Sequence, residues 1–597
     1  MSNRTQTAAV AGVTVAVAAG AALVASKLTR SITTTPANAA DAARFLTQCT
    51  FGVNDADIAE VQAKGFDGWI AEQMAMTPYS ILADTRARFD DPHAPYQIEG
   101  FQGLVEAFWT GTITRPDQLR QRMQFALSQI FVVSLVNDTL RFESPLGTIA
   151  YYDMLGANAF KNWRDLIQLI TLNPIMATWL SYLTNDKENP AVGSNPDENY
   201  AREIMQLFSI GTVMLNQDGT PQLDAGGNTI PTYSHDDIAG LARVFTGIGP
   251  FAPDGPNEDQ WLSSAYTFFD QGGDTGNPST TTFYPKHHSI SQKQFLGVTI
   301  PPQTLATANP AGDLKIALDT LFHHQNCAPY FSKRLIQQFV TSNPSPAYVA
   351  RIAAVFDNNG QGVRGDMAAV LKAILLDTEA RDSAAAQSNP NFGKLREPIM
   401  RVTNWGRSFR AVSKRGHYSI GETDDPADLS QSVLDAPSVF NFWRAGYIFP
   451  HSRTAAAGLV APEFQVVSEL TTAAYINLIQ ATVATGIGTD QVRQTGSDVT
   501  SPYTQELALP TVAPGVIDPN ALMDRLNLLL FYGQISSGLR QQITAAVSGV
   551  TATATGAPTT TGGPKTFTAS DLSKANLNRT KLAITLSMVS GEYLCQR

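Results

Sequence analysis

The chain has 597 residues, of which 43% are hydrophobic and 16% charged, and its formal net charge is −10. That apolar fraction can bury a core large enough to offset chain entropy, which excludes wholesale disorder. An acidic field of this size repels phosphate backbones and anionic lipid surfaces, so nucleic acid is not an expected partner.

At the N-terminus, Arg4 precedes an uncharged run over residues 5–26 made mostly of Ala, Val and Gly, with Lys27 and Arg30 just beyond it. This pattern reads as an export signal. Its apolar part, residues 8–25, spans 18 positions, between the length of a cleaved signal and that of a membrane anchor. Ala37-Asn38-Ala39 has the small-x-small form of a cleavage site, although it lies well past the apolar run. No later segment is apolar over such a length, so a membrane is expected only through this first segment, if it stays uncleaved. The expected location is extracytoplasmic: periplasmic, secreted or attached to the envelope.

From residue 42 onward apolar residues recur at i, i+3, i+4 and i+7, which predicts helix after helix. The predicted helices cover residues 119–136, 165–172, 197–210, 236–246, 311–322, 329–339, 346–356, 366–377 and 398–409. Residues 217–231 carry Asp-Gly and Gly-Gly beside short Thr- and Ile-containing runs and predict a turn or a small β-hairpin. Residues 249–285 are rich in Gly, Pro and Asp and predict a long surface loop. Residues 486–520 and 547–564 are rich in Thr, Gly and Pro and predict linkers or insertions, and a last helix is expected over 577–594. The expected fold is all-α: an irregular multi-helix domain with long loop insertions and at most a small β-hairpin. Residues 1–39 form the signal or anchor and 40–485 the main domain. Residues 486–597 supply insertions and C-terminal helices that pack on it.

Three cysteines, Cys49, Cys327 and Cys595, are too few and too scattered for a disulfide scaffold or a zinc site; one bridge, Cys49 to Cys595, is the pairing expected in an oxidising compartment. No GxSxG, HExxH or GxxxxGK[ST] occurs, which removes the usual sequence support for nucleophile-elbow hydrolases, zincins and P-loop enzymes. The run from Asp357 to Gly362 begins like a calcium loop, but Ala368 stands where a bidentate Glu is needed.

The remaining chemistry-bearing residues cluster in three strings. In the first, Asn195 to Phe208, Asn195 is placed to cap a helix with Pro196 in its first turn, and Glu198 can close the capping box. Glu203 lies at the edge of the apolar stripe Tyr200, Ile204 and Leu207, where a carboxylate needs a partner. In the second, Ser234-His235-Asp236-Asp237, the Ser-x-x-Asp spacing is a capping box, and the same residues can instead form an acid/base or metal cluster. In the third, His287-His288 precedes Lys293 and Phe295-Leu296-Gly297. Glu203 and Asp237 are thus the candidate catalytic carboxylates, and Arg202, His235, His288 and Lys293 the candidate substrate- or partner-binding residues. No metal or cofactor can be assigned from the sequence.

The ordered strings also carry a resemblance. Ala43-Arg44-Phe45-Leu46, Gln121-Arg122-Met123, Glu198-Asn199-Tyr200-Ala201-Arg202-Glu203-Ile204-Met205-Gln206-Leu207 and Tyr233-Ser234-His235-Asp236-Asp237-Ile238 are four of them. Thr50-Phe51-Gly52, Asn173-Pro174-Ile175-Met176, Phe245-Thr246-Gly247, His288 with Lys293 and Leu296-Gly297, Arg334-Leu335-Ile336, Val363-Arg364-Gly365-Asp366 and Ser438-Val439-Phe440-Asn441-Phe442 with Gly446-Tyr447 complete the set. Together they resemble the bacterial domain-of-unknown-function family numbered 1800 over nearly the whole chain. The resemblance implies an exported protein, often encoded beside a partner similar to the sulfatase and alkaline-phosphatase class, and implies no reaction. His235 and Ser289 stand where the family commonly has acidic residues. Two functions follow as expectations: a binding or assembly protein that works with a secreted or envelope partner, or a carboxylate- or metal-dependent hydrolase of an envelope or extracellular polymer.

Overall fold

Helix starts in this chain are written in Asx and Ser residues that satisfy otherwise orphaned N–H groups. Asn38 accepts from Asp41 N at 3.0 Å, Asn54 from Asp57 N at 2.9 Å, Ser345 from Tyr348 N at 3.1 Å and Asp366 from Ala369 N at 3.1 Å. The computed structural model describes residues 34–89, 101–252, 254–256, 261, 280–489, 496–513, 515–558, 560 and 563–597. The apolar run at the N-terminus lies outside these residues, as does much of the long loop expected over 249–285.

The molecule is all-α, with short two-stranded antiparallel pairs as its only sheets among the described residues. Its centre is formed by three helices. Ala39–Cys49 is buried from Ala42 to its end, Gln118–Ser128 at every residue, and Pro398–Ser408 at nearly every residue. A helix enclosed on all sides can bond its polar side chains only to protein groups, and the arginines of these helices reach backbone carbonyls. Arg44 donates to the carbonyls of Ala380 and Arg597, Arg122 to that of Gln338, and Arg407 to those of Gly52 and Ile113. The strings around Arg44 and Arg122 are therefore part of the core.

The predicted helices recur with end shifts of a few residues. Residues 311–322 become Pro310–His323, 346–356 become Pro346–Asp357, and 366–377 become Met367–Leu376. The stretch 119–136 is shorter than its pattern, ending at Ser128. The last helix begins earlier, at Ala569, and breaks after Met588 before the short turn Gly591–Leu594. Residues 213–231 fold back on themselves through the bridges Val213 to Pro231, Leu215 to Pro221 and Leu223 to Thr229. One hydrophobic cluster runs from Ala42 to Tyr593 and includes Leu522, Met523 and Leu526 of the helix Pro519–Phe531. Among the described residues no helix is long and apolar enough to cross a membrane.

The expected Cys49–Cys595 bridge is not formed. All three cysteines are free, with Cys49 and Cys327 buried and Cys595 exposed. The Cys49 thiol donates back to Phe45 O at 3.2 Å inside its own helix, and burial pushes it far above the ordinary thiol range.

Candidate functional site

The strings singled out in the sequence fall into three environments. Asp237 closes a capping box: one carboxylate oxygen accepts from Ser234 N and Oγ, both at 2.7 Å, and the other from Leu296 N at 2.7 Å. Those bonds outweigh desolvation and hold its carboxyl below the ordinary range. His235 is exposed, its Nδ1 3.8 Å from Glu198, and Glu198 also takes Arg202 at 3.2 Å in an i,i+4 pair.

His288 and Lys293 do meet, and they meet on a residue that sequence reading missed. Both are fully buried, and Asp313 accepts from His288 Nε2 at 3.0 Å and from Lys293 Nζ at 2.9 Å. Gln303 Nε2 adds a bond at 2.9 Å, His288 Nδ1 lies 2.8 Å from Thr246 O, and Lys293 Nζ donates to Ser289 O at 2.6 Å. Burial opposes ionisation of Asp313, and its bonds from His288 and Lys293 outweigh that and keep its carboxyl below the ordinary range. Asp313 sits in the first turn of Pro310–His323, where an acidic residue reads as ordinary helix-start chemistry. Only tertiary packing reveals that it faces inward.

Glu203 is the exception. It is 5% exposed, its Oε2 is enclosed without a hydrogen-bond partner, and neither Arg202 nor Arg243 is bonded to it. Burial raises its carboxyl above the ordinary value, partly offset by the charge of Arg202. The helix Asn199–Glu203 then widens into a π-helical turn, Ile204–Ser209, a form that recurs at functional sites. Tyr330 Oη reaches the carbonyls of Gln206 at 3.0 Å and Leu207 at 3.1 Å. Gly211, at φ 70°, makes room for this contact, since a Cβ there would lie 2.8 Å from the Tyr330 ring.

Gln206 and Leu207 form one wall of an open cleft of about 700 Å³. Tyr330 and Arg334, one helical turn apart on Cys327–Phe339, form the second wall, and residues 439–440 and 444–448 the third. The third wall is tied down from both sides: Asn441 Nδ2 donates to Gln129 Oε1 at 3.0 Å, and Gln337 Nε2 to Ala445 O at 3.2 Å. Phe442 and Trp443 are buried beneath it against Val132 and Ala436. Three of the strings that carry the resemblance thus end on one surface, at Gln206-Leu207, Arg334 and Phe440 with Gly446-Tyr447. Sequence reading identified the strings but weighted their acidic members, whereas the cleft is lined by their neighbours.

Other motifs resolve structurally. Asn358 accepts from Gly360 N and Gly362 N, and Asn359 from Gln361 N and Val363 N, so the calcium-like run spends its oxygens on its own turns. The same run, Gly360 to Gly365, has the glycine spacing of a dinucleotide fingerprint, but it follows the helix Pro346–Asp357 where that motif requires a strand. Glu422, Asp424 and Asp435 bring carboxylate oxygens within 4.8 Å of one another, and Arg141 bonds both Glu422 oxygens at 2.7 and 2.8 Å. Burial with the neighbouring Asp424 and Glu422 pushes Asp435 up to about 7.

Compared with curated proteins and with solved structures, the chain finds no match. A family model does match, over residues 44–595 and so over all three walls of the cleft, and the chain belongs to that family, the proteins of unknown function described as DUF1800.

Proposed function

We propose that the protein is exported and acts as a binding and assembly protein, docking a secreted or envelope partner in the cleft between the π-helical turn and residues 439–448. The single observation that carries this reading is the cleft itself, about 700 Å³ and walled by three separate strings of the family pattern. The export run at residues 5–26 supports the location. The resemblance points to a partner of the sulfatase and alkaline-phosphatase class.

A photoreactive residue at Gly446 tests it, because this position lines the cleft, is exposed, and has no atom within 4 Å of an added Cβ. Cross-linking in native cells is expected to yield a defined exported protein from position 446 and nothing from Leu305, an exposed site outside the cleft. Identical products from both positions, or fractionation that leaves the chain in the cytoplasm, would sink the reading.

The hydrolase alternative rests on Glu203, whose buried, unpartnered and raised carboxyl has the character of a general acid. Asp237 is a poor second carboxylate for it, since both of its oxygens are already bonded. Loss of a measured envelope-polymer hydrolysis in a folded Glu203→Gln variant is the result that would favour this alternative.

A further inference from the structure

The docking cleft has an electrostatic character of its own. Arg334 and Arg444 line it, and none of its described lining residues is a carboxylate. Several arginines elsewhere are matched by carboxylates: Arg141 with Glu422 and Asp435, Arg351 with Asp377, and Arg525 with Asp55 and Glu506; Arg381, which lacks one, lies over the buried rings of Phe45 and Phe66 and away from the cleft. Among the described residues Arg334 has no ion-pair or hydrogen-bond partner, and its Nε is enclosed without an acceptor. Arg444 places its guanidinium 4.6 Å over the Phe440 ring, a contact that uses its face and leaves the N–H edge available.

An enclosed guanidinium N–H without an acceptor is costly, and at the wall of an open cleft a ligand can supply what the protein does not. A cation would be repelled by two guanidiniums, and an apolar group would leave Arg334 Nε unpaired. A planar or tetrahedral oxyanion matches the guanidinium fork and can accept several bonds at once. We propose that the cleft recognises an oxyanion, a carboxylate, sulfate or phosphate group, held by Arg334 and Arg444 and carried on a body that lies against Phe440 and Tyr330. This deepens the docking reading and rests on it, since it names the chemistry that the partner presents to the cleft.

Calorimetric titration of the full chain at constant ionic strength with phenylacetate, phenyl sulfate and phenyl phosphate tests the proposal, with benzyl alcohol as the uncharged comparison. At least one anion is expected to bind saturably at one site while benzyl alcohol does not, and the strongest of the three identifies the source of the oxyanion. Arg334→Gln and Arg444→Gln are each expected to weaken binding about tenfold, the scale of one lost charge-assisted contact. Arg453→Gln, an exposed arginine outside the cleft, should leave it unchanged. Circular dichroism and thermal unfolding of each variant establish that it is folded. Absence of binding by all three anions, or binding that survives in a folded Arg334→Gln/Arg444→Gln double variant, overturns the oxyanion. A partner cross-linked at Gly446 whose capture is unaffected by the same double variant also overturns it while leaving the docking reading in place.

Discussion

Asp313 carries a strong single-residue prediction because it is bonded to two fully buried basic side chains, Lys293 and His288. Replacing it with Asn leaves Lys293 enclosed without its counter-charge, which is expected to cost about 3–5 kcal/mol in urea unfolding at pH 7. The pH dependence follows from the depressed carboxyl: this stability is present above the unfolded value of about 3.9 and is lost as pH falls through the lower folded value. A loss below about 1 kcal/mol would mean that Lys293 sheds its charge in the folded state. Glu203 has the opposite sign. Its folded carboxyl is raised, so the native state binds the proton more tightly, and stability falls as pH rises from the unfolded value through the folded one. Glu203→Gln should therefore raise the unfolding midpoint at pH 7, with the gain closing toward pH 4. Equal midpoints at both pH values would show that Glu203 is solvated. His288 and Lys293 were legible as a pair because they lie five residues apart, but Asp313 was not, because nothing in its own segment marks it as inward-facing.

At the scale of elements, the apolar period made the helices legible, and the caps fixed most of their starts. The π-helical turn was not legible, since its widened register depends on Tyr330 and Gly211, which act through contacts outside the helical pattern. The N-terminal helix revises the meaning of Ala37-Asn38-Ala39. Asn38 is the N-cap of Ala39–Cys49, and Thr34 O accepts from the N–H of the buried Phe66 at 2.8 Å. Cleavage after Ala39 would remove both contacts. If the exported chain is processed, its mature N-terminus is thus expected before Thr34, which intact-mass measurement of the secreted protein checks. A chain made to begin at Ala40 should lose about 1–3 kcal/mol relative to one beginning at residue 31. Equal stability of the two chains would remove the argument and restore the site after Ala39.

At the scale of the molecule, a buried charge network joins segments that are far apart in sequence. Glu397 lies 3.6 Å from Arg122 and 3.4 Å from Lys394, and Lys394 also reaches Glu463 at 3.2 Å. Gln129 and Gln431 donate to Glu397, and Gln129 continues through Asn441 to the wall of the cleft. Two carboxylates share one lysine, and their surroundings push them apart. Burial opposes ionisation of Glu397, but Lys394, Arg122 and the two amides outweigh it and hold its carboxyl below the ordinary range. At Glu463 burial prevails over the attraction of Lys394, and the carboxyl is raised. Glu397 is therefore the ionised partner and Glu463 the one that holds its proton longer. Glu397→Gln should cost about 3–5 kcal/mol, because it strands Arg122 in the core and leaves Lys394 with Glu463 alone. Glu463→Gln replaces the carboxyl that burial biases toward its protonated form by an amide of the same shape and should cost less than about 1 kcal/mol. The pH profiles separate as well. The contribution of Glu397 is lost as pH falls through its folded value, whereas that of Glu463 is lost as pH rises through its own. Urea unfolding of both variants across pH decides the assignment, and a larger loss from Glu463→Gln than from Glu397→Gln would reverse it. Because Gln129 links this network to Asn441, a weakened Glu397 should also loosen the third wall, so any cleft ligand should bind Glu397→Gln more weakly than Glu463→Gln at equal fraction folded.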